Sequence, residues 1–139
     1  MSILEKLKEF GKIKQQNNIV KIFTRPEKVR DVVKCVRELG YDTILTISVI
    51  DLPEKRRFVI RYVFSRRGID NKGRRVIVYV KVNRDRPEIP TISDIYMFAD
   101  YLERECFEMY GICFIGNDKC RGTFFLDKSL EGVFPHRKA

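Results

Sequence analysis

The sequence predicts an α+β fold: a single domain over 1–139, with a mainly antiparallel sheet, helices packed on one face of it, and an extended C-terminal segment. Three observations predict it. Residues 57–65 and 75–82 alternate their side chains with the period of two that marks a strand. Residues 29–39 and 92–110 instead repeat apolar side chains at helical spacing. The elements come in the order helix, strand, helix, three strands, helix, which suits a sandwich with its helices on one sheet face.

Taken in order, residues 1–11 predict a short helix with Ile3, Leu4, Leu7 and Phe10 on one side and Gly11 as its stop. Lys12 to Asn18 is a polar link, and Ile19 to Phe23 a brief strand that opens a core running to about residue 112. Thr24-Arg25-Pro26-Glu27 has the spacing of a capping box, in which threonine and glutamate each satisfy an amide at a helix start. That helix carries Val29, Val32, Val33, Val36 and Leu39 and ends at Gly40. Valines are poor helix formers, so packing must hold it.

Thr43 to Ile50 is apolar on both faces, Ile44 and Ile50 against Leu45, Ile47 and Val49, which predicts a central, covered strand. After a turn at Asp51 to Lys55, the next strand puts Phe58, Ile60, Tyr62 and Phe64 on one side. Its other side, with Arg57, Val59, Arg61 and Val63, is mixed. A loop from Gly68 to Gly73 leads into Arg75 to Val82, with Val76, Val78, Val80 and Val82 inward, completing an antiparallel meander. Pro87 and Pro90 break the sheet, Thr91 and Asp94 mark a helix start, and a long helix is expected from Ile92 to Tyr110 with Gly111 as its stop. Beyond it, Phe114, Phe124, Phe125, Leu126 and Phe134 follow no period yet are too apolar for a disordered tail. Over 113–139 they read as a docking segment, because large exposed apolar patches mark partner surfaces.

Composition narrows the function. At 139 residues and 44% hydrophobic content the chain fits one domain. No run approaches the roughly 20 apolar residues of a membrane helix, and the charged stretch from Met1 to Phe10 does not read as a signal peptide. Cys106, Cys113 and Cys120 recur every seventh residue, but none of the cysteine spacings is that of a zinc knuckle or an iron–sulfur loop. They read as core thiols, and no metal is expected. His136, the single histidine, stands in the last four residues without acid–base partners and reads as solvated. Glycine-rich nucleotide loops and nucleophile elbows are absent, so no catalytic residue is expected in the chain itself. The net charge of +9 points to acidic partners. Lys55-Arg56-Arg57, Arg66-Arg67, Arg74-Arg75 and Arg84-Asp85-Arg86 read as solvated strand ends that guard sheet edges. The alternative reading is a basic nucleic-acid-binding module in which Tyr62, Phe64 and Tyr79 stack bases.

The most informative stretch is Glu103 to Gly116. At about 100° per residue, Ile95, Phe98, Ala99, Leu102, Cys106 and Met109 share one side, the predicted core face. Glu105 lies about 60° from Leu102 and is expected to be half-dry, with Arg104 and Glu108 on the opposite side. A half-buried carboxylate needs a facing cation, either within the chain, from Arg121 or a strand arginine, or from another subunit.

Residues Ala99-Asp100-Tyr101-Leu102-Glu103-Arg104-Glu105, then Phe107-Glu108-Met109-Tyr110-Gly111-Ile112, Phe114 and Gly116, resemble the signature of the C-type subunit of NADH-quinone oxidoreductase. This is the "30 kDa" subunit of respiratory complex I, which also occurs in complex I-related membrane-bound nickel–iron hydrogenases. Glu131-Gly132 and Pro135-His136-Arg137-Lys138 resemble the family's closing Glu-Gly-x-Pro-Leu-Arg-Lys-Asp with one extra residue between the halves. Asp51, Pro53 and Arg57-Phe58 match a weaker upstream pattern, so the resemblance spans about residues 45–138. The chain departs where the family has His-Pro-Asp-Leu-Arg-Arg: Asn117-Asp118-Lys119-Cys120-Arg121-Gly122 keeps the first arginine only. Tyr101 stands for tryptophan, Glu108 for aspartate, and Ala139 for the last aspartate. These departures lean towards a divergent, hydrogenase-type relative.

The resemblance implies an accessory subunit without a redox centre or cofactor of its own. It implies docking against a large subunit, either of the 49 kDa type with a quinone pocket or of the nickel–iron hydrogenase type, and proximity to the small iron–sulfur subunit. Iron–sulfur clusters, and nickel and iron in the hydrogenases, belong to those partners. Membrane contact comes only through the complex, at the cytoplasmic side of the cell membrane. The positions carried over as subunit-interface contacts are Glu103, Arg104, Glu105, Tyr110, Gly111, Phe114, Gly116, Arg121, Glu131, Gly132, Pro135 and Arg137. Arg121 and Arg137 suit bidentate pairing with carboxylates, and Tyr110 and Phe114 suit aromatic anchoring.

Overall fold

Alternation along two strands decides which side of the sheet is inside. In the computed structural model, which describes residues 3–66 and 74–138, Phe58, Ile60, Tyr62 and Phe64 of β4 (Arg57–Ser65) and Val76, Val78 and Val80 of β5 (Arg75–Asn83) are fully buried. Their odd-numbered neighbours stay half-exposed, apart from buried Ser65 and the exposed Lys81 and Asn83. The even side packs in one core with Val29, Val32, Val33 and Val36 of α2 (Val29–Glu38) and with Ala99, Leu102 and Cys106 of α3 (Ala99–Tyr110). The predicted α+β layering, with helices on one face of the sheet, is the observed one.

Among the described residues the sheet has five strands in the order β1 (Lys12–Gln16), β2 (Ile19–Thr24), β5, β4 and β3 (Thr43–Leu52). β3, β4 and β5 form the predicted antiparallel meander, while β2 lies parallel to β5. The loop expected at Gly68 to Gly73 lies outside the described residues. Of the predicted first helix, α1 spans Ile3–Lys8 and buries Leu7 in the core.

Several expectations are corrected. Lys12 to Asn18 is no link: Lys12–Gln16 form β1, an antiparallel edge strand turned onto β2 through Asn17, whose φ is 55°. An edge strand needs few apolar side chains, so its polarity concealed it. The capping box does not form. Thr24 donates to the Phe10 carbonyl at 2.8 Å, Pro26–Lys28 makes a 3₁₀ turn, and α2 begins at Val29 without a side-chain cap. β3 is an edge strand, not a central one. A register shift between Ile44 and Thr46 lets Ile44 and Ile47 both face inward and leaves Leu45 and Ile50 exposed.

The long helix starts at Ala99, not Ile92. Residues 93–98 are turns, held by other elements. Arg30 donates to the Thr91 carbonyl and, bidentately, to the Asp94 carboxylate, each at 2.7 Å. That pairing lowers Asp94 to about 2. The Tyr96 hydroxyl donates to the Tyr41 carbonyl. A two-stranded parallel sheet of β6 (Glu88–Pro90) and β7 (Cys113–Ile115) then joins the two ends of this region. Among the described residues no helix is long and apolar enough to cross a membrane.

Candidate functional site

Helix α3 carries three glutamates with three different fates. Glu103 is fully buried; it accepts from the Thr91 hydroxyl at 2.5 Å, the Ile92 amide at 2.9 Å and the Asn117 side-chain amide at 2.9 Å. Burial pushes its carboxyl above the ordinary glutamate range, against the pull of these donors. Glu108 is also buried, and takes the consecutive backbone amides of Phe124, Phe125 and Leu126 at 2.7 to 3.0 Å. Glu105, expected to be half-dry, is exposed, and the facing cation postulated for it is unnecessary. A helical wheel misplaces these groups because α3 is covered on two sides. The sheet covers Ala99, Leu102 and Cys106, while the chain's own C-terminal segment covers the side of Glu108.

That segment is folded back rather than free. Ile112 and Phe114 are buried. Gly111 ends α3 at φ +78°, and a side chain there would approach the Phe134 ring to 2.9 Å. Gly116, at φ +96°, brings the turn within 3.0 Å of the Thr91 methyl for any added Cβ. Both positions therefore require glycine. Arg137 Nε donates to the Tyr110 carbonyl at 2.7 Å, and its guanidinium lies 5.2 Å from the Phe58 ring centre. Buried Asp51 accepts from Arg84 Nε and from the Lys138 amide, both at 2.7 Å, while Arg84 also donates to the Lys138 carbonyl at 2.6 Å. His136 is exposed, its ring edge-on to Tyr110.

The sequence-derived interface set thus divides in two. Glu103 and Phe114 are buried in the chain, and Tyr110, Gly111 and Arg137 fix the segment against α3 and β4. Glu105, Gly116, Arg121, Glu131, Gly132 and Pro135 are exposed. Arg104 stacks 3.7 Å from the centre of the Phe124 ring. Cys106 is buried and donates to the Ile47 carbonyl at 3.5 Å, Cys113 is exposed, and Cys120 is half-buried.

The structure joins Phe124 of the expected docking segment to Phe98 and Tyr101, which the sequence reading did not place on a partner surface. Phe98, Tyr101 and Phe124 are 55%, 43% and 56% exposed and form a chain of ring contacts, Phe98 stacked on Tyr101 at 5.6 Å and Tyr101 edge-on to Phe124 at 6.4 Å. Met97, 88% exposed, adjoins it. An open groove of about 590 Å³, lined by Arg37, Asp42, Leu45, Met97 and Phe98, continues the patch. Phe98, expected on the core face of a longer helix, is instead exposed as the N-cap of α3. Tyr101, about 100° from Leu102, is the visible signal of an aromatic off the apolar stripe. The nucleic-acid alternative loses its platform, since Tyr62 and Phe64 are fully buried.

Comparison with known proteins agrees with the sequence signature. The pattern defining the family "Respiratory-chain NADH dehydrogenase, 30 Kd subunit" matches residues 22–139. The C-type subunit of NADH-quinone oxidoreductase from Erythrobacter litoralis is 32% identical over 114 residues, which cover 81% of this chain and 43% of that protein. The C/D-type subunit of the Bacteroides thetaiotaomicron NADH-quinone oxidoreductase is 48% identical over 67 residues, 48% of this chain and 12% of that protein. The chain therefore spans less than half the length of either relative. In fold, it matches a chain in the structure of the membrane-bound sulfane sulfur reductase, an archaeal respiratory membrane complex, with a TM-score of 0.86 and 23% identity over 97% of this chain and 81% of that one. Signature, match and fold agree: the chain belongs to the family of the 30 kDa subunit of respiratory-chain NADH dehydrogenase.

Proposed function

We propose that this chain is a non-catalytic accessory subunit of a complex I-like membrane-bound oxidoreductase, docked by its C-terminal third against the large subunit and close to the small iron–sulfur subunit. The observation that carries the reading is the contiguous exposed aromatic surface of Phe98, Tyr101 and Phe124. Aromatic side chains and arginine dominate the energetics of protein interfaces, and here Arg104 is already stacked on the outermost ring. The C/D-type relative supports the choice of partner, because one polypeptide there bears both designations. On this reading the D-type part corresponds to the large subunit. Redox centres and substrate chemistry then belong to the partners, and the chain sits at the cytoplasmic side of the membrane through them.

Buried Glu103 and half-buried Arg137 of the interface set act indirectly: together with Glu108, which was not in that set, they hold the segment in the shape that presents Phe124, while exposed Glu105, Arg121 and Glu131 supply rim charges. Replacing both Phe98 and Phe124 by aspartate tests this. The expected result is loss of the large subunit from the affinity-purified complex, a weakening of roughly 30-fold or more as for interface hot spots. Circular dichroism and thermal unfolding of the isolated chain should be unchanged. Undiminished co-purification of the large subunit with that variant would overturn the assignment.

A further inference from the structure

The outward face of the five-stranded sheet is unlike an ordinary solvated face. In the observed register, its positions on β1, β2, β4 and β5 include Lys14, Lys21, Arg57, Arg61, Arg75 and Lys81, and not one carboxylate. Between these cations lie half-buried Val59, Val63 and Ile77 and the 43%-exposed Ile50. Lys14 stands directly opposite Lys21, an arrangement of like charges that costs stability unless something neutralises it. Arg61, opposite Tyr79 and Ser48, has its Nε shut off from solvent with no acceptor among the described residues. None of these six cations forms an ion pair with a described carboxylate.

We propose that this face is a second docking surface, occupied by an acidic protein face of another subunit of the same assembly. The proposal rests on the subunit reading above. Charge complementarity sets the sign of the occupant, and the flat alternation of cations with half-buried apolar side chains suits a protein surface with a desolvated centre. A nucleic acid fits less well. The Phe23 ring is already stacked on Tyr79 at 4.8 Å and has the Lys14 ammonium 5.7 Å from its centre, so it is not free to stack on bases. A membrane surface fits less well because Val59, Val63 and Ile77 are half-buried and leave little apolar area to insert.

The test uses the complex purified from its native membranes through the tagged full chain, with the large subunit verified to be present. A carbodiimide, which joins lysine only to a touching carboxylate, should link Lys14, Lys21 or Lys81 to aspartate or glutamate of another subunit. Acetic anhydride should label these lysines roughly tenfold less in the complex than in the isolated chain, as expected for desolvated charges at an interface. Equal labelling in both, with the large subunit bound, overturns this proposal and leaves the subunit reading standing. A complex without the large subunit overturns both. Lysines open in the complex, combined with binding of the isolated chain to phosphatidylglycerol vesicles or single-stranded RNA that K14E/K21E/K81E abolishes, would give the face to lipid or to nucleic acid and likewise overturn it.

Discussion

Along β4, Phe58, Ile60, Tyr62 and Phe64 are shut from water by apolar neighbours, whereas the backbone of residues 124–138 is tied down by a handful of charged side chains. Glu108 holds the amides of Phe124 to Leu126, Arg137 grips the Tyr110 carbonyl, and Asp51 with Arg84 clamps Lys138. The difference is one of cooperativity. Buried apolar side chains share neighbours, so the sheet gains or loses its stability as a unit. A segment held at a few polar points can open locally while the sheet stays folded. In the proposed docking, the surface that meets the partner is carried by the second kind of structure, since Phe124 stands on it.

The largest effect is expected from the sheet. Phe64→Ala removes a fully buried ring that packs against Tyr96 at 4.9 Å and should destabilise the whole domain by about 3–5 kcal/mol, read as a lowered urea midpoint. Glu108→Ala should do something different. It orphans three amides, but the segment can lift and hydrate them, so the global loss should stay near about 1 kcal/mol while hydrogen exchange at residues 124–126 accelerates strongly. A fall in the urea midpoint as large as that of Phe64→Ala would mean that segment and sheet form one cooperative unit, and the contrast would be lost.

The same division explains what the sequence revealed. The inward face of β4 and β5, the helical stripe of Val29, Val32, Val33 and Val36, and the stop at Gly111 follow from periodicity and backbone sterics, which are local, and all three are present. The family signature also lies in the sequence itself, and the match over residues 22–139 agrees with it. The partners of Glu103 and Glu108 were not legible. Most are main-chain amides, all lie 11 to 18 residues away, and an amide leaves no trace in the residue alphabet. β1 and β3 failed for a related reason, because polarity and apolarity report burial and say little about position within a sheet.

Acid gives the gentlest probe of the contrast. Burial alone would raise the Asp51 carboxyl, but pairing with Arg84 and the Lys138 amide outweighs it and holds the group below the usual aspartate value. A carboxyl lowered by folding contributes stability that is fully present above the unfolded value of about 3.9 and is lost as pH falls through its lower folded value. Glu103 has the opposite sign: raised by burial, its contribution is present below the ordinary glutamate value of about 4.3 and is lost as pH rises through its folded value. Lowering the pH through the depressed folded value of Asp51, below the unfolded value of about 3.9, should therefore release the Lys138 clamp while the Ile92 and Asn117 contacts hold. The amide resonance of Lys138 should shift in that window, with those of Ile92 and Asn117 still, and Asp51→Asn should abolish the shift. Were the Ile92 and Lys138 amides to move together with one midpoint, the end of the chain would be bound into the same cooperative unit as the start of the α3 region, and the charged clamps would not be separable from the core.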